Sequence, residues 1–201
     1  MLRKTLSGVC AGVMIAIGGS VYLACENRVV GAVLFSVALL TICFRGYSLY
    51  TGRIGFIPEK HDRDTVSALF FGLLGNLAAT IACGFLIRLA VPGLGAAAEA
   101  LCGGKLVQSG LQTFIRGVFC GVLMYVAVSV YRDGKNIVGI LFGIPVFILS
   151  GFEHSIADMF YFAAAGDLSA RAFLFVLPVI LGNSLGAMLL PVMSGCGKEK
   201  A

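Results

Sequence analysis

Charge is what this sequence has least of. Only 12% of its 201 residues are Asp, Glu, Lys or Arg and 59% are hydrophobic, so too little polar surface remains to cover a soluble globule of this size. Disulfide and metal patterns are missing too. Seven cysteines are present, but Cys10, Cys43, Cys83 and Cys120 lie inside apolar runs with no CxxC pair among them, and they read as small buried hydrophobes. There is no HExxH motif, and Ser194-Gly195 is only a fragment of an intramembrane serine protease motif, so an enzyme is disfavoured and no cofactor or metal is expected. The basic start, Met1 to Lys4, precedes an apolar run from Leu6 to Cys25 that lacks a clear small-residue cleavage site and is followed by further runs. It reads as a retained first helix. The net charge of +5 is distributed at segment ends, which reads as a topology signal and not as a nucleic-acid surface.

What the chain does contain is apolar runs, at about 6–25, 29–44, 65–91, 111–131, 136–150, 154–165 and 170–193. A bilayer-spanning helix needs roughly 20 such residues. Two of the runs are too short to span, and each borders a glycine-containing break: 45–52, beginning Arg45-Gly46, and 150–155, beginning Ser150-Gly151. Broken helices expose backbone N–H and C=O groups that lipid cannot satisfy, so the breaks predict a pathway enclosed by protein or water. The halves echo each other. Gly8 and Gly12 match Gly117 and Gly121 at an offset of 109, Gly46 matches Gly151 at 105, and Gly75-Asn76 matches Gly182-Asn183 at 107. A duplicated unit of three spans reverses its orientation in the second copy, which predicts one transmembrane domain built from inverted repeats, about 1–98 and 108–195. With both termini cytoplasmic, Arg3, Lys4, Lys60, Arg63, Arg132, Lys135, Lys198 and Lys200 lie inside, against Arg28, Lys105 and Arg171 in exterior loops. That distribution follows the positive-inside rule.

The segment Gly151-Phe152-Glu153-His154-Ser155-Ile156-Ala157-Asp158-Met159 places a His, two carboxylates and a Ser in an otherwise apolar stretch. Ionisable groups are expensive there, which favours a functional His154 over a structural one. This motif resembles the signature of the formate/nitrite transporter family, with Asp158 where Asn is usual. The likeness extends to the Thr-Gly after the first break, both Gly-Asn pairs, and a Lys twelve residues before Gly117. The resemblance implies an all-α, aquaporin-like fold of six transmembrane segments with broken second and fifth helices. It further implies a homopentamer in a bacterial inner membrane, each protomer passing small monovalent anions such as formate, nitrite, hydrosulfide or lactate.

By the same resemblance His154 is the central pore histidine, Thr51 its partner on the first break, Asn183 a polar neighbour and Lys105 the vestibule lysine. Phe35 and Phe147 resemble one apolar constriction; Leu39, Leu49 and Tyr50 resemble the other. A bare carboxylate crosses such constrictions only at high desolvation cost, so an anion that takes up a proton near His154 passes more cheaply. Blander readings stand beside these: Phe35, Leu39 and Phe147 as packing or lipid-facing residues, Lys105 as a solvated loop charge, Asn76 as a helix bridge, and Glu153 as a partner for backbone donors. Gly121, Ser48, Tyr50 and Arg45 depart from the family pattern and alter pore polarity, so substrate preference is less constrained than fold. The chain is also short for the family, which argues against an elaborate cytoplasmic gate. Two other functions compete: a membrane subunit of a larger importer, and an intramembrane enzyme.

Overall fold

Asn27, Asp62, Ser109 and Ser169 each stand just before an apolar run, and each caps a helix by accepting backbone N–H groups of its first turn. The computed structural model describes residues 1–195, and among them nine α-helices and no strand occur. They are α1 (Leu2–Ala24), α2 (Arg28–Arg45), α3 (Tyr50–Arg53, continued by a 3-10 turn over Ile54–Phe56) and α4 (Arg63–Ala90). After α5 (Pro92–Leu106) come α6 (Gly110–Gly134), α7 (Val138–Leu149), α8 (Ser155–Ala165) and α9 (Ala170–Met193). Lys198 and Lys200, counted above as cytoplasmic charge, lie outside the described residues.

Five helices, α1, α2, α4, α6 and α9, are long and apolar enough to cross a membrane. The sixth crossing is composite. With 12 and 11 residues, α7 and α8 each reach only about half the hydrocarbon thickness at 1.5 Å per residue. All 11 residues of α8 are buried inside the bundle, a position no lipid-facing helix would occupy. Leucine, valine and phenylalanine side chains of the long helices face outward, among them Phe70, Leu86, Phe173 and Leu181.

The two halves are built alike. In the first, α1 packs along α4; in the second, α6 packs along α9, and these are the closest helix pairs of the fold. Glycine makes the approach possible. A Cβ on Gly75 would press into the Thr5 carbonyl oxygen, and one on its counterpart Gly182 into that of Phe114. Gly121, one of the departures from the family pattern, lies against the Asn183 carbonyl, where a side chain would not fit.

One expectation fails. The sequence predicts an exterior loop around Lys105 before the second repeat, whereas residues 92–106 form α5. Pro92 starts this helix at the position where a missing N–H is harmless, and small residues let it lie against α8 and α4. Its Gly95, Gly103 and Gly104 mimic loop composition, which hid it.

Candidate functional site

Each break begins with a glycine in the left-handed region, Gly46 at φ 69° and Gly151 at φ 71°, where side chains are strained. Beyond it the chain runs extended for a few residues before the next helix starts. Their freed backbone groups must be satisfied, and one asparagine serves each break. Asn76 Nδ2 donates to the carbonyls of Gly8 at 2.8 Å and Ser48 at 2.9 Å, while its Oδ1 accepts the Tyr50 N–H at 2.9 Å. Asn183 does the same one repeat later, donating to the Gly117 and Glu153 carbonyls and accepting the Ser155 N–H, all at 2.9 Å. Both amides are fully buried.

The breaks meet at one contact, between Thr51 Oγ1 and His154 Nε2 at 2.8 Å. The tautomer follows from the other ring nitrogen. His154 Nδ1 accepts the Ala157 N–H at 3.1 Å and so caps α8, which leaves the ring proton on Nε2, donated to Thr51. The Thr51 hydroxyl proton is then free to point elsewhere. Phe147 stacks on the imidazole with centroids 5.7 Å apart and planes 21° from parallel.

On either side of this contact lies a cavity. The second-break cavity, about 220 Å³, is lined by Phe35, Phe147, His154, Lys105, Glu153 and Asp158, with Tyr22 and Arg28 toward its mouth. The first-break cavity, about 260 Å³, is lined by Leu39, Ile42, Leu49, Arg53, Arg132 and Lys135. They open on opposite faces. Arg132, at the end of α6, pairs with Glu59 just before α4, and Lys4 of α1 pairs with Asp64 at the start of α4, so the first-break cavity shares a face with the N-terminus. Arg28 begins α2 at the other end of α1.

The sequence-predicted residues divide accordingly. Phe35, Phe147 and His154 line one cavity; Leu39 and Leu49 line the other; Thr51 joins them. Tyr50 lines neither cavity, because its hydroxyl is bonded to Ser184 of α9 at 2.8 Å, so it braces α3. Asn183 also faces backbone and not cavity, its capacity used by the break. Lys105 lines the second-break cavity, but it is no solvated loop charge: its side chain is 13% exposed and its Nζ pairs with Glu153 and, at 3.0 Å, with Asp158. Glu153, read as a partner for backbone donors, instead receives side chains, Lys105 and the Gln108 amide at 2.7 Å.

The sequence marks Asp158 as a carboxylate in the motif and a departure from the family pattern without giving it a role, and it gives no sign of Gln108 or of the first-break cations as cavity residues. Lys105 ends α5 and Gln108 stands in the turn after it, but nothing local to them announces a partner 45 to 48 residues later.

A six-crossing helical bundle of inverted repeats, with paired breaks joined at a buried histidine between opposed cavities, defines a multi-pass membrane channel for small solutes. Comparison with known proteins is specific. The family model described as formate/nitrite transporter matches residues 1–195, and this chain belongs to that family. Its relatives are anion transporters and channels, not enzymes, which removes the intramembrane enzyme from consideration. It is 28% identical over 239 aligned positions to the formate channel FocB of Escherichia coli, covering 94% of this chain and 84% of that one. It is 30% identical over 195 to a probable formate transporter of Methanothermobacter thermautotrophicus, covering 80% and 71%. Two solved structures share the fold. One is described as an FNT family ion channel (TM-score 0.81, 21% identity, 96% of this chain and 88% of that one). The other is a pentameric formate channel with formate bound (TM-score 0.77, 24% identity, 96% and 95%).

Proposed function

We propose that this chain forms a homopentamer in a bacterial inner membrane, each protomer passing a small monovalent anion, formate first, together with a proton. The chain is read as one transmembrane domain with both termini cytoplasmic, so the second-break cavity opens to the exterior. Nitrite and hydrosulfide are the other substrates to test. The observation that carries the reading is the Thr51–His154 hydrogen bond set between apolar walls, Phe35 and Phe147 on one side and Leu39 and Leu49 on the other. An unpaired carboxylate leaving water for such walls loses many kcal/mol of hydration, roughly the cost that neutralisation removes. A neutral weak acid loses far less and finds at the midpoint the Thr51 hydroxyl, whose proton the His154 hydrogen bond leaves free to donate. A self-contained path of this kind also favours a pore over a subunit of a larger importer.

The test is purified protein in liposomes with an internal pH dye and a flux panel of formate, nitrite, hydrosulfide, acetate and lactate. Wild type should carry formate faster than the bulkier acids, faster as external pH falls, with acidification of the lumen. His154→Phe should abolish proton-coupled flux. His154→Asn, which can still cap α8, should leak with altered proton stoichiometry. Equal rates and equal stoichiometry for all three would make His154 structural.

A further inference from the structure

The second-break cavity holds more acid than its lysine can neutralise. Lys105 Nζ meets the Glu153 carboxylate and, at 3.0 Å, Asp158 Oδ1; Glu153 and Asp158 are 3% and 1% exposed. Glu153 Oε1 accepts from Gln108 at 2.7 Å and lies 4.0 Å from Arg116. Asp158 has no such help. Its Oδ2 is buried and receives no N–H or O–H from any described residue. Asp158 and Glu153 share the one Lys105 ammonium, so the two carboxyls stand side by side, where like charges repel and a proton on one of them relieves both. Lys105 alone meets both buried carboxylates, whereas Arg116 reaches only Glu153 and does so from a partly exposed position, so the buried trio of Lys105, Glu153 and Asp158 is net negative until one proton is added. Because Glu153 also holds the Gln108 amide and has the Arg116 charge near it, the proton belongs on Asp158.

His154 is badly placed to supply that service. Its Nδ1 is occupied as acceptor of the Ala157 N–H, so a second ring proton would break the cap of α8. The surroundings offer few rivals. Around Asp158, α5 contributes Lys105 and Cys102, α6 contributes Arg116 and Cys120, α1 contributes Tyr22, and α8 itself contributes Tyr161. Arg28 from α2 and His154 complete the titratable and charged groups of the wall beside Glu153. Cationic side chains draw an anion in, but arginine does not release protons near neutral pH and Lys105 is held by its carboxylates.

We propose that Asp158 is the proton donor of this cavity. An anion attracted past Arg28 and Arg116 meets the protonated Asp158 carboxyl; the Asp158 O–H bond breaks and an O–H bond forms on the substrate carboxylate. The neutral acid moves on to His154 and Thr51. The Asp158 carboxylate left behind is compensated by Lys105, which keeps its own protons, and it recovers a proton from water at the cavity mouth. Electrons stay in place; one proton is consumed from that face per anion carried. This deepens the reading given above and rests on it.

The experiment uses full-length protein in liposomes, with labelled formate and the internal pH dye, across acidic to neutral external pH. Asp158→Asn keeps shape and hydrogen bonding but cannot release a carboxyl proton. It should carry formate at near wild-type rate in acid, where the bulk already supplies formic acid, and fall by roughly tenfold or more at neutral pH. Asp158→Glu should restore part of the neutral rate. An Asp158→Asn profile that parallels wild type at every pH overturns the proposal while leaving anion conduction intact. A wild type that carries no anion of the panel at any pH overturns the function itself and this step with it. Infrared difference spectra of wild type supply a measure that needs no variant: a protonated carboxyl band should bleach when formate is added. An unchanged carboxyl region also overturns the proposal.

Discussion

The two breaks share one frame and carry different chemistry. At an offset of 105 residues, Gly46 overlies Gly151, Ser48 overlies Glu153, Leu49 overlies His154 and Arg53 overlies Asp158. The backbone contacts repeat in step: Tyr47 N–H to the Ile42 carbonyl corresponds to Phe152 N–H to the Phe147 carbonyl, both at 3.0 Å. Ser48 N–H to Ser7 likewise corresponds to Glu153 N–H to Arg116. Where the backbone is held, the halves are interchangeable. Where side chains face the path, an apolar leucine stands against a histidine and a cation against an acid. Duplication therefore supplied the scaffold, and divergence at the cavity walls supplied two unlike mouths.

The strongest way to break that comparison is through the shared frame. Asn76→Ala and Asn183→Ala each orphan one carbonyl and one N–H of a break and remove a tie to a neighbouring helix, at roughly 1–3 kcal/mol per buried group left unpaired. Both should cost several-fold in yield and a large part of thermal stability, by similar amounts, as read from detergent melting curves. A harmless substitution in one half beside a ruinous one in the other would end the mechanical equivalence.

A smaller effect probes the divergent walls. Arg53, counterpart of Asp158, donates to the Gly46 carbonyl at 3.0 Å and lines the first-break cavity with Arg132 and Lys135. Arg53→Gln should slow formate leaving liposomes from that face by roughly threefold at low ionic strength and less in salt, since screened charge steers weakly. Its effect should not depend on pH, in contrast to Asp158→Asn. A pH-dependent loss would make the two mouths more alike than their charges suggest.

The smallest effect lies outside the path. The Thr65 N–H bonded to Asp62 at the head of α4 holds that exposed carboxyl down at about 2. A depressed carboxyl contributes stability above its ordinary range and loses it as pH falls toward the lowered value. Asp62→Ala should therefore lower the melting temperature slightly at neutral pH, and the difference from wild type should vanish near pH 2.

Most of the frame was legible in the sequence because its signals are local or periodic. Apolar runs show helices, Gly46 and Gly151 show breaks, and Gly-Asn pairs recur at nearly constant offset. His154 was visible because a titratable ring in an apolar run has few inexpensive explanations. What stayed hidden depends on contacts between distant segments. Lys105 follows two glycines and reads as a loop charge until α5 lies against α8 and brings Glu153 and Asp158 to it. Asn76 and Asn183 occupy equivalent places, yet the sequence alone suggests a helix bridge for one and a pore neighbour for the other. Only the carbonyls they meet reveal that both do the same work. The direction of Tyr50 was hidden for the same reason, since it is set by Ser184 across the bundle.

Helix α5 is the member of this fold with no twin among the described residues. Two copies of one unit, turned over and joined, make a conduit that looks the same from either end and has no reason to tell one compartment from the other. The linker lies along one side alone, and from it Lys105 and Gln108 reach into a single mouth. The connecting strap thus places a cation and an amide at one mouth only, deepening a difference between the two ends that the cavity walls already carry. Turning the protein over in its membrane would keep the passage and exchange its two ends.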